Sequence, residues 1–239
     1  MHDLLYGVQP VLSALNHEKR RLEKLFLKKN YNFSTKLKEI REIAEQLGIP
    51  TQEVSKARLS KMCSNSVHQG VILNCSTLAF SSIEDHPEIF KKRLPIIVAL
   101  DRIEDPQNFG SILRTCGFFG VDGVVVPRDH TSRLSAVVSK ASAGVSEWFP
   151  VISVPNLTRF IIEQKSKGFW IVGLEENAIE NLTFLKRDRP LIIVFGNEGR
   201  GIRHLVKNNC DNLYKITGNN KISSLNVSNA ASVVLFHLS

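Results

Sequence analysis

No stretch of this 239-residue sequence approaches the roughly 20 consecutive apolar residues needed to cross a bilayer, so no membrane partner is expected. The opening Met1-His2-Asp3-Leu4-Leu5-Tyr6-Gly7 lacks a basic region followed by an apolar one, and no secretory signal is read there. Cysteine is scarce, and Cys63, Cys75, Cys116 and Cys210 stand singly, with neither a Cys-x-x-Cys pair nor matching histidine spacing. That argues against a zinc site or a disulfide framework and for a reducing compartment, and no metal ligand is nominated. Repeats and Pro/Gly-dominated stretches are also missing. With 43% hydrophobic and 23% charged residues the chain can build an ordinary buried core.

Positive charge is what the sequence has in surplus. The 31 Lys+Arg against 23 Asp+Glu give +8, a balance that favours a polyanionic partner, nucleic acid above all. Residues 1–80 hold 12 against 7 and residues 81–239 hold 19 against 16, so the excess is concentrated at the front.

The front region alternates short helical and strand patterns, with helices at 8–15, 35–47 and 56–62 and strands at 24–28, 51–54 and 70–75. Residues 81–94, including Lys91-Lys92-Arg93, have little periodicity and read as a solvated linker. Beyond Pro95, apolar runs at 96–100, 123–126, 151–154, 169–174, 191–195 and 213–216 alternate with helix-like segments at 109–119, 134–142, 157–167 and 202–208. Such alternation predicts an α/β fold with a mostly parallel sheet, whose ligands sit beyond the C-terminal ends of the strands.

Three segments follow predicted strand ends. In Asp101-Arg102-Ile103-Glu104-Asp105-Pro106-Gln107-Asn108-Phe109-Gly110-Ser111-Ile112-Leu113-Arg114-Thr115, Asn108 reads as a helix N-cap. Arg114 falls nearly two turns later, near the same angular face, and such a pair can hold a phosphate or a ribose. Taken alone, these residues read first as a capped helix with a surface arginine. Phe195-Gly196-Asn197-Glu198-Gly199-Arg200-Gly201-Ile202 is a glycine-rich turn that fits neither the P-loop nor the dinucleotide fingerprint, and a tight connection alone also explains it. Ser223-Ser224-Leu225-Asn226-Val227-Ser228-Asn229-Ala230-Ala231-Ser232 opens an apolar helix, with Ser224 or Asn226 as cap. His68 has no partner nearby in sequence and reads as a turn histidine.

Taken together and in that order, Asn108-x-Gly110-x-x-x-Arg114, Gly196-Asn197-Glu198-Gly199-x-Gly201 and Ser224-Leu225-Asn226-Val227-Ser228 resemble the SpoU (TrmH) class of SPOUT methyltransferases over residues 95–239. Leu5-Tyr6-Gly7-Val8 and Val67-His68-Gln69-Gly70-Val71 resemble the two ends of an L30e-like substrate-binding domain. That domain points to the large-subunit rRNA guanosine-2′-O-methyltransferase subgroup, in a bacterial cytoplasm or an organelle. The resemblance implies three segments: a substrate domain at 1–80, a linker at 81–94 and a catalytic domain at 95–239. It also implies a C-terminal deep trefoil knot, which unaided reasoning would reject, and a homodimer acting on rRNA with S-adenosylmethionine as methyl donor.

On that similarity the donor lies against Gly196, Asn197, Glu198, Ile216, Leu225 and Asn226, and the catalytic group is Arg114, Asn108, Glu198, Ser224 and Asn226. The family assigns activation of the 2′-hydroxyl to the arginine matching Arg114. A guanidinium, with its pKa above about 12, is better suited to clamping the neighbouring phosphate while phosphate or water takes the proton. Glu198 is assigned to ordering the loop. Ile216-Thr217-Gly218-Asn219-Asn220 departs from the family's Ile-Pro-Met, which implies a donor loop of different rigidity, and the last helix is expected to be shorter than in relatives. The alternatives are a tRNA ribose methyltransferase, a catalytically silent RNA-binding or ribosome-assembly protein, and a nucleotide-binding oxidoreductase.

Overall fold

A computed structural model describes residues 2–17, 19–29, 34–219 and 224–239. The chain forms two compact units, Met1–Ala79 with Arg133–Trp148, and Phe80–Ser132 with Phe149–Ser239.

The first unit contains β1 (His2–Tyr6), α1 (Val8–His17), β2 (Leu22–Lys28), α2 (Thr35–Gln46), β3 (Thr51–Val54), α3 (Lys56–Met62) and β4 (Val71–Ser76). Its sheet runs β1-β4-β2-β3, with β4 antiparallel to both neighbours and β2 parallel to β3. Val71, Ile72 and Leu73 in β4 are all buried, as a strand covered on both faces requires. In α2 the apolar residues Leu37, Ile40 and Ala44 recur at helical spacing and face the core. Gly48, at φ +68°, then turns the chain out of the helix. β1 was not anticipated, because a five-residue segment opening His-Asp carries no strand pattern of its own.

Arg133–Trp148, read from sequence as part of the second half, packs with this unit instead. Its anchor is a buried ion pair: Arg20 Nε lies 2.7 Å from Glu147 Oε2 and Nη2 lies 3.1 Å from Oε1. The Arg20 and Glu147 side chains are 0% and 1% exposed.

His68 closes the turn into β4. The Gly70 N–H donates to its Nδ1 at 3.0 Å, so Nδ1 carries no proton, and Nε2 lies 3.2 Å from Ser60 Oγ. Burial, followed by the charges of Lys56 and Lys28, holds the imidazole pKa below its ordinary value. Above pH about 6.5 the ring is neutral in both folded and unfolded chains. Below that, the unfolded chain binds a proton that the folded one resists, so stability falls with pH. The denaturant midpoint is therefore expected to drop between pH 7 and pH 5. The drop should be shallower in His68→Gln, and equal slopes in the two proteins would remove His68 as the cause.

The second unit contains β5 (Ile96–Asp101), α4 (Pro106–Phe118) and β6 (Gly123–Pro127), then, after the first unit's α5 (Ala136–Ala141), β7 (Val151–Val154), α6 (Leu157–Ser166), β8 (Trp170–Leu174), β9 (Glu180–Asn181), β10 (Leu191–Gly196), α7 (His204–Lys207), β11 (Asn212–Lys215) and α8 (Val227–His237). All neighbouring strands are parallel, in the order β7-β6-β5-β10-β8-β11-β9. Ile97, Ala99, Ile192 and Val194 pack with Leu157, Phe160 and Ile161 of α6 and Val206 of α7. The alternate residues Val98, Leu100 and Ile193 are buried as well and face the opposite side. Central strands covered on both faces explain the unbroken apolar runs of the sequence.

Residues 81–94 are not a free tether. Ser81 forms a parallel bridge with Ile152, Ile89 joins the core beside Phe90, and Lys92 pairs with Asp122 at 2.6 Å. Among the described residues no helix is long and apolar enough to cross a membrane.

Candidate active site

The C-terminal edge of the seven-stranded sheet brings the three sequence motifs together. β5 ends at Asp101 in register with Gly196, the last residue of β10. Asp101 is buried and binds Arg203 three ways: the backbone N–H reaches Oδ2 at 2.9 Å, while Nε and Nη2 each lie 2.7 Å from Oδ1. Sequence reasoning passed over this clamp. Its one signal was an acid closing an apolar strand.

Between Gly196 and Arg203 the chain makes a tight loop. Asn197 and Gly201 exchange backbone hydrogen bonds of 3.1 and 2.8 Å. The Asn197 side chain donates to the Arg102 carbonyl at 3.0 Å and accepts from Gly199 N–H at 3.0 Å. Arg102 itself sits at φ +64°, a conformation costly for a side-chain-bearing residue and held here by its surroundings. A Cβ at Gly196 would run into the backbone of Gly201 and Ile202, so only glycine closes the loop. Asn197 was expected to touch the donor. In the structure both ends of its side chain and both backbone groups are engaged in bracing the loop.

The N-cap of α4 is Asp105, whose Oδ2 accepts from Asn108 N–H at 2.8 Å, followed by Pro106 in the first turn. Asn108 was read as that cap, but it lies inside the first turn, which frees its amide to face the neighbouring loops. Asn108 Nδ2 donates to Glu198 Oε1, and Asn226 Nδ2 donates to the same oxygen at 2.9 Å and to Asn108 Oδ1 at 3.0 Å. Asn226 is also the N-cap of α8, its Oδ1 accepting from Ser228 N–H at 2.9 Å and Ser228 Oγ at 2.7 Å. One carboxylate thus ties together residues from all three motifs. α4 and α8 are further joined by Thr115 Oγ1 and Ser232 Oγ at 3.2 Å.

Arg114 does not enter this junction. Six residues along a helix are about 600° of rotation and about 9 Å of rise, leaving it about 120° away from Asn108 rather than on the same face. It is exposed, and among the described residues it has no hydrogen-bond or ionic partner. Ser224 is exposed and bonds to none of the three junction residues, while Ser223 and Asn220 lie outside the described residues.

Ile216 follows β11 half-buried, Leu225 precedes the α8 cap at 49% exposure, and a Cβ at Gly218 would meet nothing within 4 Å. This edge therefore offers open backbone and apolar side chains, the groups an adenosine with an uncoordinated sulfonium would use. Cys116, buried in α4, has its thiol pKa pushed well up by burial and is unsuited to nucleophilic attack.

Residues 95–236 match the SpoU rRNA Methylase family, and residues 4–81 match the RNA 2′-O ribose methyltransferase substrate binding domain. The 23S rRNA (guanosine-2′-O-)-methyltransferase RlmB of Haemophilus influenzae is 35% identical, with 100% of this chain and 97% of that protein covered. RlmB of Pseudomonas aeruginosa is 33% identical, with 98% and 94% covered. Among solved structures, the SpoU methyltransferase AviRb of Streptomyces viridochromogenes, in complex with its cofactor AdoMet, superposes with a TM-score of 0.80 at 20% identity, covering 99% of this chain and 88% of that one. An AdoMet-bound rRNA methyltransferase of Sinorhizobium meliloti gives 0.81 at 22% identity, covering 99% and 86%. At these identities the two structures establish the fold, and the sequence matches establish the lineage: the chain belongs to the SpoU rRNA methylase family.

Proposed function

We propose that this protein transfers a methyl group from S-adenosylmethionine to the ribose 2′-hydroxyl of a guanosine in large-subunit rRNA. The observation that carries the reading is the junction of Asn108, Glu198 and Asn226 at the strand ends, supported by full-length likeness to rRNA guanosine-2′-O-methyltransferases. When bound, the donor supplies a methyl carbon activated by its sulfonium, and no metal is needed. The protein's task is then alignment and proton management.

The backbone at Gly196 and Ile216 and the side chain of Leu225 would hold the donor, inside a loop made rigid by Asn197 and by the Asp101–Arg203 clamp. Glu198, an acceptor-only carboxylate, fixes the amides of Asn108 and Asn226. Arg114, exposed and uncommitted, clamps the adjoining RNA phosphate and orients the 2′-hydroxyl, whose proton passes to phosphate or water. Ser224 stands beside the acceptor.

A homodimer fits the surface of the second unit. Phe118 and Phe236 are 83% and 72% exposed, on helices that already meet through Phe119 and Phe236. Such apolar exposure marks an interface. Phe118 lies one turn beyond Arg114 on α4, so a partner docked there would meet Arg114. The order β5-β10-β8-β11, followed by a return to α8 against α4, supports a knotted path for the C-terminal segment. The first unit, carrying the greater share of positive charge, selects the RNA.

The acceptor atom can be tested directly. An rRNA fragment with deoxyribose at the target guanosine is expected to bind but to take up no methyl group, whereas the all-ribose fragment gains one position resistant to alkaline cleavage. Methyl uptake at that same nucleotide of the deoxy-substituted RNA would make the base the acceptor and overturn the reading. Affinity for the all-ribose RNA should also fall with added salt, as phosphate contacts release counterions.

A further inference from the structure

A groove of about 200 Å³ opens on the second unit, and none of Asn108, Glu198 and Asn226 lines it. Trp170 of β8 and Tyr214 of β11 line it, and the segment after β9 forms its rim through Phe184, Lys186 and Arg189. Trp170 pairs with Leu191 at the start of β10, placing that end of the groove toward the N-terminal edge of the sheet, while Tyr214, paired with Leu174, carries it along β11 toward the other edge. Gly196 lies five residues further along β10, about 17 Å away at strand rise. A base stacked at the Trp170 end is therefore clear of the reacting atoms.

Chemistry and size narrow the occupant. The Phe184 ring is 70% exposed. The Arg189 guanidinium lies 4.9 Å from the centre of the Trp170 ring, a cation–π stack. Asp188 steadies it through Nε at 2.8 Å and Nη2 at 3.3 Å. Across Lys186-Arg187-Asp188-Arg189 three cations face one carboxylate. Of the other polar groups at the groove, Asn212 donates to Glu180 at 2.9 Å, and Tyr214 has its pKa raised by burial and by Glu180. The volume is below the roughly 300–1,000 Å³ of sites for drug-sized ligands, which suits one heterocycle rather than a whole cofactor. Exposed aromatics beside lysine and arginine are the elements from which single-stranded nucleic acid sites are built.

We propose that this groove is a second RNA contact that takes one unstacked nucleotide outside the methylated position, its base against Phe184 and the Arg189–Trp170 stack and its phosphate on Lys186. The proposal rests on the reading of the protein as an RNA methyltransferase. It adds a contact that the rRNA substrate would make at a fixed distance from the acceptor.

The test uses the full chain with Trp148 changed to Phe, which leaves Trp170 as the sole tryptophan. A short single-stranded oligoadenylate is expected to quench Trp170 fluorescence, and its double-stranded counterpart to quench little. Phe184→Ala should weaken rRNA-fragment affinity by roughly 5- to 150-fold, the range of one base–aromatic stack, with S-adenosylmethionine affinity unchanged as the check on folding. Lys186→Ala should weaken RNA binding and lessen its salt dependence. Unchanged RNA affinity in both variants overturns the proposal while methyl transfer stands. So does equal quenching by duplex, or a change in oligomeric state on Phe184→Ala in place of weakened RNA binding. If wild-type protein methylates no rRNA, the functional reading fails, whatever the fluorescence shows.

Discussion

Replacing Arg114 with alanine is expected to lower methyl transfer to rRNA by about 10²-fold, the scale of loss when a reacting group is no longer held in position, and to leave S-adenosylmethionine affinity nearly unchanged. The two effects separate because Arg114 belongs to the exposed surface of α4 and supports nothing around it. Glu198 and Asn226 hold each other and Asn108 without it, so the loops at this junction have no reason to move. Arg114→Lys keeps one positive charge but loses the planar fork that grips a phosphate at two points, and should recover only part of the rate. Calorimetry with the donor and incorporation of labelled methyl into an rRNA fragment measure the two steps independently. Turnover close to wild type in Arg114→Ala would move the role of orienting the hydroxyl to another residue.

What could be read in the sequence follows from how local each signal is. Buried parallel strands are apolar along their whole length, so β5, β6, β7 and β10 stood out as runs within a residue or so of where the structure places them. β9 is two residues long and exists only because β11 lies beside it, so nothing in Glu180-Asn181 announces a strand. The motifs were visible as residue patterns, whereas their meeting point was not. The hydrogen bonds from Asn108 and Asn226 to Glu198 depend on β5, β10 and α8 arriving at one edge, which spacing does not encode. Helix arithmetic was the other limit. Asp105-Pro106 is the stronger start signal, and taking Asn108 as the cap placed it at the helix boundary instead of inside the first turn. The bracing of the loop by Asn197, through the Arg102 carbonyl and the Gly199 N–H, was equally hidden, because Arg102 lies far away in sequence.

The segment Arg133–Trp148 was invisible as part of the first unit for a related reason, since Arg20 and Glu147 are far apart in sequence and each alone reads as a surface charge. Their pairing sets the second large effect: Glu147→Ala is expected to destabilise the first unit by about 3 kcal/mol. Removing one member of a buried pair typically costs about 3–5 kcal/mol, because the survivor is left uncompensated in a medium that solvates it poorly. Here the lower end applies, because Arg20 Nη1 keeps Asp3 Oδ2 and the Ser76 carbonyl, both at 2.8 Å. Burial lowers the guanidinium pKa, but Glu147 first and Asp3 after it outweigh burial and hold it above its ordinary value, and a guanidinium stays protonated in proteins even without such partners. Glu147→Gln preserves the shape and one acceptor oxygen and should cost less than alanine. The double change Arg20→Met, Glu147→Leu removes both charges and should recover much of the loss, as replacement of buried pairs by apolar residues often does. Denaturant unfolding of the four proteins at fixed pH gives the comparison. A Glu147→Ala loss below about 1 kcal/mol, the scale of an exposed pair, would mean that water reaches Arg20 and that the pair does not hold Arg133–Trp148 in place.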